Sequence, residues 1–443
     1  MSPKRKRGSR HYRWAALVGL ALASVAANWP QWRGPHGDGT YAESNLPLTW
    51  SETEHVAWKC PLADGASTPV IWDKAIFATA QDGEKLLLFR IDRDSGKVAW
   101  SGDVGTGNLV RRTRGRAPRG SQYHNELHNL ASPSPVTDGE VVVVHFGNGD
   151  LAAYDFAGKR LWKHNLQSEH GAYTVWWGHA NSPVLVDDLV ISVCMQDSLA
   201  DLPDKKQVDS YLVAHDKRTG ERRWKTLRNT GAPQEEADAY TTPLLRTVNG
   251  RRELVVMGGN QLDAYDPATG RQLWFLPDLV GGRTVTGPTV GGDLIFATRG
   301  KNAPLLAAKA AGDGRLGPRN IVWQERKETA DTCCPVYYDG LLFWVTDIGV
   351  AHCVDAETGN SHWTQRLAKG NYKASPIVGV PAEGGSRGRV YFLSLDGRCT
   401  VVAASPKFEK LAENTVDDRT IASPAAADGR LYLRGRKALY CIK

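Results

Sequence analysis

The chain has 443 residues, 41% of them hydrophobic and 23% charged, with 45 Gly and 23 Pro. This composition excludes a disordered or collagen-like chain, and the length exceeds the roughly 100–200 residues of one ordinary domain. The net charge is +7, but six of these charges lie within the first 13 residues; a nucleic-acid-binding protein would keep a basic excess in its folded part, so no nucleic-acid partner is expected.

The first segment of the chain has the pattern of an export signal. Basic residues up to Arg13 precede an apolar run from Trp14 to Ala27, which is shorter than the roughly 20 residues that span a bilayer. Small residues at the end of the run fit a signal-peptide cleavage site. We predict a signal peptide over residues 1–27 and a secreted, periplasmic or otherwise extracytoplasmic protein with no integral membrane segment after signal removal; an uncleaved N-terminal membrane anchor is the alternative.

One pattern recurs through residues 54–443. The pattern opens with a small residue and proline, continues through alternating strands and closes before a tryptophan, with an Asp-x-x-Thr-Gly turn in its clearest copies; the seventh unit has no closing tryptophan. The eight openings end at Pro69, Pro135, Pro183, Pro243, Pro288, Pro335, Pro376 and Pro424, and the seven closing tryptophans are Trp58, Trp100, Trp162, Trp224, Trp274, Trp323 and Trp363. Units of 40–50 residues with four short strands predict an all-β, eight-bladed β-propeller.

The two ends of the repeat region are complementary. The last unit stops after its third strand, at residues 437–442, and a spare strand is available at residues 54–59. Pairing these strands would close the ring and leave no open edge. Residues 28–53 would then form an N-terminal arm over the propeller, and the tryptophans would pack between blades.

The repeats, the opening Trp29–Pro35 and the ending Leu431–Arg434 followed by Leu439–Ile442 resemble the pyrroloquinoline-quinone (PQQ) type of eight-bladed propeller. Quinoprotein dehydrogenases and the BamB lipoprotein of outer-membrane assembly share this fold. The resemblance is closest to exported bacterial members whose function is unassigned. It implies the fold, whereas activity must be argued from the site, because one fold hosts many functions.

The adjacent pair Cys333 and Cys334 is a candidate cofactor contact, because the resemblance to quinoprotein dehydrogenases implies a vicinal disulfide over PQQ. The alternative is that packing alone explains the pair, because the cysteines occupy the small-residue position before a blade-opening proline. The seven cysteines form no zinc spacing, and we predict no metal site. Whether Cys60 and Cys441 form a disulfide across the ring closure is left open by the sequence.

Two other features have ordinary explanations. His124 and His128 resemble a zinc-protease motif, but the acidic residue is not adjacent to the first histidine, and the segment runs into a strand. An arginine-rich insertion over residues 101–130 is either a solvated loop or a surface for an acidic partner.

The segments before the blade-opening prolines are expected to overlook the central channel and to form a binding funnel. The alternative is that they only solvate and plug the channel mouth. The candidate ligand-binding residues on these segments are Trp177, His179, Tyr240, Arg283, Asp331, Tyr372 and Arg419.

We therefore predict a non-enzymatic binding or scaffold propeller of the cell envelope, with no catalytic residue and no cofactor. We expect a monomer whose partner is an envelope protein or a small-molecule or saccharide ligand. The alternative is a PQQ- and Ca²⁺-dependent dehydrogenase of an alcohol or sugar, which would need oxygen ligands, a carboxylate base and a platform for the quinone.

Overall fold

The computed structural model describes residues 28–42, 46–111, 118–300, 303–380 and 387–443. These residues form eight antiparallel sheets arranged as a ring, which confirms the predicted eight-bladed propeller. The predicted signal peptide, residues 1–27, lies outside the described residues.

Seven blades take four successive strands from one stretch of chain, and the eighth takes three from the C-terminus and one from near the N-terminus. In blades 1 to 4 the strands are Val70–Trp72, Ala75–Asp82, Lys85–Asp92 and Val98–Thr106; Val136–Thr137, Val141–His145, Asp150–Asp155 and Arg160–Asn165; Val184–Val186, Leu189–Cys194, Tyr211–Asp216 and Arg222–Leu227; and Leu244–Val248, Arg251–Gly258, Gln261–Tyr265 and Gln272–Leu276. In blades 5 to 8 they are Thr289–Gly291, Leu294–Thr298, Leu305–Ala308 and Ile321–Glu325; Val336–Tyr338, Leu341–Val345, Val350–Asp355 and Ser361–Arg366; Ile377–Gly379, Arg389–Leu393, Arg398–Ala403 and Lys410–Thr415; and Ala425–Ala427, Arg430–Arg434, Ala438–Ile442 and Val56–Pro61.

Few other elements occur in the described residues. Two short strands, Thr40–Tyr41 and Gly314–Arg315, add in parallel to blades 7 and 4. The helices are one α-helix, Leu166–His170, and two 3₁₀ helices, Glu235–Ala237 and Pro318–Asn320. None of the helices in the described part of the chain is long and apolar enough to cross a membrane.

The ring closes as predicted. Strand Val56–Pro61 pairs antiparallel with Ala438–Ile442, so the N-terminal strand completes the C-terminal blade. In this register Cys60 lies opposite Leu439, whereas Cys441 lies opposite Trp58. The two thiols are therefore offset, and all seven cysteines are free and buried.

The N-terminal arm contacts the innermost strands of several blades. Its Trp29 bridges to Ile71 in blade 1, and Thr40–Tyr41 pairs with the innermost strand of blade 7. Between them, the Arg33 guanidinium is fully buried and donates to Thr289 Oγ1 at 2.9 Å and to the carbonyl oxygen of Pro335. The arm thus packs against several blades at their innermost strands, and burial lowers the pKa of Arg33.

A belt of hydrogen bonds joins the blade openings around the channel. In each bond, the backbone N–H of one opening residue donates to the side chain of the opening residue in the next blade. The six pairs, at 2.9 to 3.1 Å, are Thr68–Ser134, Ser134–Ser182, Ser182–Thr242, Gly287–Cys334, Cys334–Ser375 and Ser375–Ser423. Thr68 Oγ1 also donates to the carbonyl oxygen of Ser423 at 3.1 Å, which joins the last blade to the first. We call this set the opening belt.

The closing tryptophans lie between blades, as predicted. Six indole N–H groups donate at 2.9 to 3.2 Å to backbone carbonyls of the following blade; these belong to Trp58, Trp100, Trp162, Trp224, Trp323 and Trp363. Trp274 differs, because its indole donates to Glu253 within its own blade. Five turn glycines lie directly against these indoles, so that an added Cβ would come within 2.5–3.0 Å of an indole atom: Gly96, Gly158, Gly220, Gly270 and Gly359.

The contact between glycine and indole can be tested on two glycines of blade 6 with matched backbones. Gly359 has φ 75° and lies against Trp323, whereas Gly340 has φ 77° and has nothing within 4 Å of an added Cβ. Both alanine variants should lose about 1–2 kcal/mol because φ is positive. Gly359→Ala should lose a further 1–3 kcal/mol or so, because the indole must move. Urea unfolding of the two variants measures the difference, and equal losses would show that the contact is unimportant.

Candidate functional site

A cavity of about 560 Å³ lies on the axis of the ring. All eight blade junctions contribute to its wall, through Ala66, His128, Trp177, Tyr240, Arg283, Asp331, Lys373 and Ile421. A chamber reached by every junction must lie on the central axis, so this is the channel mouth at which the sequence places a funnel. We call it the axial cavity.

Four of the seven predicted ligand-binding residues line the axial cavity. These are Trp177, Tyr240, Arg283 and Asp331, which come from four successive blade junctions. The structure therefore brings together aromatic side chains, a cation and a carboxylate, as a binding funnel requires.

The other three candidates do not line the cavity. The His179 ring is buried between blades 2 and 3, where it stacks on Tyr173 and lies 3.3 Å from Nδ1 of His145. Tyr372 is also fully buried, and burial raises its pKa to about 12. Arg419 is exposed to solvent outside the cavity. His179, Tyr372 and Arg419 therefore lie outside the cavity wall, and their ligand-binding roles stay predictions.

The charges in the cavity are organised as two ion pairs. Arg283 lies 3.3 Å from Asp331, and its guanidinium is 5.7 Å from the centre of the Trp177 ring. Lys373 Nζ contacts Asp347, whose other carboxylate oxygen accepts from the Thr332 hydroxyl at 2.9 Å. Two cations thus balance two wall carboxylates, and Arg283 also lies 3.8 Å from the Glu235 carboxylate.

Asp347 and Glu235 are functional candidates that the sequence reasoning missed. Asp347 lies in the turn between the second and third strands of blade 6, and Glu235 begins a 3₁₀ helix. In an antiparallel blade, the turn between the second and third strands lies on the same face as the junction before the first strand. The short turn after Leu341–Val345 was therefore the available signal for Asp347, whereas nothing in the local sequence marked Glu235.

Several hydrogen bonds hold Trp177 in place. Its indole N–H donates to Glu235 at 2.8 Å, and its backbone N–H donates to the Tyr240 hydroxyl at 3.0 Å. Its carbonyl oxygen accepts from Nε2 of His128 at 2.7 Å. Asp238 accepts a hydrogen bond from the backbone N–H of Trp176 at 2.8 Å. The aromatic wall is therefore preorganised by residues from both neighbouring junctions.

Burial shifts the pKa values of the supports behind Trp177 toward their uncharged forms. Burial raises the pKa values of the Asp238 carboxyl and the Tyr240 hydroxyl well above their usual ranges. It lowers the pKa of His128 to about 4. At neutral pH the His128 ring is thus neutral, with the proton on Nε2, since a carbonyl oxygen can only accept.

The candidate cofactor contact at Cys333 and Cys334 is not part of the axial cavity. Both cysteines are buried and free, and neither lines the cavity. Cys334 is a member of the opening belt, in which its sulfur accepts from the Gly287 N–H at 3.1 Å. The structure therefore supports the packing explanation of this position.

The described arginines of the insertion over residues 101–130 serve local structure. Arg111 donates to the backbone oxygen of His128 at 2.6 Å, and Arg119 pairs with Asp197 and Asp201. Residues 112–117, with the remaining arginines, lie outside the described residues. His124 and His128 do not form a helix, and their rings are 5.4 Å apart.

These features define the class of protein: an eight-bladed β-propeller of the PQQ-like type with a chamber on its axis. The family model described as outer membrane protein assembly factor BamB matches residues 43–202, 208–333 and 314–441. Since these matches cover most of the chain, the protein belongs to this family. Comparison with curated protein sequences finds no match.

Solved structures show the same fold at low sequence identity. BamB from Moraxella catarrhalis has a TM-score of 0.54 and 14% identity, over 87% of this chain and 96% of that chain. Quinohemoprotein alcohol dehydrogenase from Comamonas testosteroni has a TM-score of 0.67 and 14% identity, over 95% and 81%. A europium-containing methanol dehydrogenase has a TM-score of 0.61 and 10% identity, over 93% and 90%. Identity this low shows the fold alone.

The residues of the axial cavity do not fit the Ca²⁺ ion that a quinoprotein dehydrogenase would need. Ca²⁺ takes roughly six to eight oxygen ligands. The two carboxylates of the wall, Asp331 and Asp347, are each paired with a cation. Among the described residues, no three histidine, cysteine, aspartate or glutamate side chains converge in this cavity. No reaction step through a quinone follows from such a donor set.

A pair of variants distinguishes the two explanations of Cys334. Cys334→Ser preserves an acceptor for the Gly287 N–H, so it should lose less free energy of unfolding than Cys334→Ala. Cys334→Ala leaves that buried N–H without its partner and should lose about 1–3 kcal/mol. Chemical unfolding under reducing conditions measures both. Equal losses of stability in the serine and alanine variants would contradict the role of the sulfur as a belt acceptor.

Buried histidines should make the fold sensitive to acid. The pKa values of His128 and His145 are lowered to about 4, chiefly by burial, whereas an unfolded histidine has a pKa of about 6.5. Between these values the unfolded chain binds protons that the native chain does not. The free energy of unfolding should therefore fall as the pH drops from about 6.5 to 4, by up to about 3 kcal/mol for each of these histidines, and should be insensitive to them above that range.

Unfolding with urea at pH 7.5 and at pH 4.5 measures this acid sensitivity. His128→Gln should reduce the difference between the two pH values, while His362→Gln, at an exposed position, should leave it unchanged. An identical difference in the parent and in both variants would contradict the assignment.

Proposed function

We propose that this protein is an exported, non-enzymatic binding propeller whose axial cavity holds a neutral saccharide. The observation that carries the proposal is the convergence of all eight blade junctions on one chamber with an aromatic wall and balanced charges. A volume of about 560 Å³ is within the range of small-molecule sites. A mere plug of the channel would not need a preorganised chamber of this size.

The wall chemistry favours a neutral, polyhydroxylated ligand. The pairs Arg283–Asp331 and Lys373–Asp347 provide charged donors and acceptors but no net charge. Sugar hydroxyls can donate to the carboxylates and accept from the cations, and such charge-assisted hydrogen bonds are the stronger ones. The Trp177 indole adds apolar surface against which a sugar ring can lie. A multiply charged ligand would meet a like charge at either pair.

The location belongs to the same proposal. The basic start and the short apolar run of residues 1–27 support export, with cleavage of this segment, an arm over residues 28–53 and a propeller over residues 54–443. We propose a monomer in the periplasm or another part of the cell envelope. The name of the family, an outer membrane protein assembly factor, supports an envelope location and makes a protein partner the second kind of ligand to test.

Binding can be tested by titrating the purified protein with neutral and acidic mono- and disaccharides, followed by calorimetry and tryptophan fluorescence. At least one neutral sugar should bind. Arg283→Ala should abolish that binding with little loss of stability, since Arg283 lies at the cavity surface rather than in the core. Arg271→Ala, an exposed arginine on the outer part of blade 4, is the matched control and should bind as the parent does.

Three outcomes would contradict the proposal: no sugar binds, both arginine variants bind equally, or Arg283→Ala loses its melting transition together with binding. A parallel titration with PQQ and Ca²⁺ tests the alternative. Quinone absorbance that stays with the protein, together with dye reduction by an alcohol or sugar, would replace the binding function with that of a dehydrogenase.

A further inference from the structure

A cluster of titratable side chains lies between blades 2 and 3, outside the axial cavity. His164 is on the outermost strand of blade 2, Glu169 is in the α-helix that follows it, and His215 is on the third strand of blade 3. One potential ligand atom from each lies within 4.8 Å of the other two. None of the three lines the axial cavity.

The hydrogen bonds of His164 determine which of its nitrogens faces Glu169. Nε2 lies 2.8 Å from the backbone oxygen of Gly220, and because a carbonyl oxygen only accepts, Nε2 carries the proton. Nδ1 lies 2.7 Å from a carboxylate oxygen of Glu169. In the neutral ring, Nδ1 presents a lone pair to an oxygen that also can only accept. A proton or a metal cation must therefore lie between these two atoms.

The His215 ring provides an independent indication of a ligand. It is fully buried and stacks on the His164 ring with 4.7 Å between ring centres. Neither of its nitrogens has a hydrogen-bond partner among the described residues, although buried polar groups are almost always paired.

We propose that His164, Glu169 and His215 bind one Zn²⁺ ion. Two imidazole nitrogens and one carboxylate are a donor set typical of zinc, whereas Ca²⁺ and Mg²⁺ prefer oxygen ligands. The hydrogen bond from His164 Nε2 to the Gly220 oxygen fixes the orientation of the ring, as the hydrogen bonds of ligating histidines do in zinc proteins. The side chains of His164 and Glu169 are 27% and 35% exposed, which leaves a route for the ion and a position for water.

The geometry requires only side-chain adjustment. Tetrahedral bonds of about 2 Å place ligand atoms about 3.3 Å apart, so the widest separation must shorten by rotation of the partly exposed His164 and Glu169 side chains. The bound ion would link the outermost strand of blade 2 to blade 3, and its expected role is to stabilise this blade interface.

The first experiment measures zinc binding to the purified protein, prepared without a polyhistidine tag, in competition with a chromogenic zinc chelator at pH 7.5. One equivalent should bind, and saturating Zn²⁺ should raise the melting temperature, as any ligand of the native state does. Co²⁺ should substitute and give visible absorption bands of a site with nitrogen and oxygen ligands. Ca²⁺ and Mg²⁺ should produce neither effect.

The second experiment assigns the ligands. His164→Ala and Glu169→Gln each remove a proposed zinc ligand. Loss of a residue that only hydrogen-bonds to a ligand weakens metal binding by about 10–100-fold, and each of these variants should weaken it by more than that. His362→Ala and Glu357→Gln, at exposed positions in blade 6, are the controls and should bind as the parent does. His215→Ala should lose binding too, with its melting curve in EDTA reporting whether it folds. Absence of a bound equivalent, or equal affinities of Glu169→Gln and Glu357→Gln, would overturn the proposal.

Discussion

The opening residues of the blades are packed around the channel. Each of their backbone N–H groups needs a hydrogen-bond acceptor there. At six of the eight openings the belt provides that acceptor from the next blade, through a hydroxyl or, at Cys334, a thiol. This constraint accounts for the recurring small residue before proline: the side chain must be short enough to reach one blade across and polar enough to accept. The proline that follows has no N–H and so adds no further unsatisfied donor. Because each blade depends on its neighbour, the belt couples the blades around the channel.

The belt also gives a physical reason for the positions of Trp32 and Arg33 near the start of the N-terminal arm. Gly287 has no side chain with which to accept from blade 4, so the belt is interrupted there. Trp32 of the arm lies at this place, 3.5 Å from where a Cβ of Gly287 would be. Next to it, Arg33 donates to Thr289 Oγ1 and to the carbonyl oxygen of Pro335, thereby connecting blades 5 and 6. The arm is therefore part of the channel packing at the one opening without an accepting side chain, and the ring and the arm form one structure.

The sequence predicted the fold well because the periodic residues are those that make the contacts between blades. Proline recurs at one place in all eight blades, tryptophan in seven blades and a turn glycine against five of these tryptophans, so the blade count, the ring closure and the tryptophan packing could be inferred. The cavity was harder to predict, because position in a junction does not determine side-chain direction. Tyr372 and His179 turn into the blade interfaces, while the neighbouring Lys373 and Ala180 reach the cavity. Asp347 was missed because it lies on an intra-blade turn, which only the strand directions bring to the same face.

The opening belt and the cavity wall occupy adjacent but separate positions in each junction. The belt uses the residue directly before the proline, whereas the charged wall residues lie three or more residues earlier: Arg283 before Pro288, Asp331 before Pro335 and Lys373 before Pro376. A change in the wall therefore alters the ligand chemistry without removing a belt bond, and a change in the belt alters stability without removing a wall group. The belt holds the opening residues of neighbouring blades at a fixed spacing. The wall groups therefore lose little conformational freedom when a ligand binds, and less of the interaction energy is used to order them. This separation offers a physical reason why one propeller fold can serve unrelated functions.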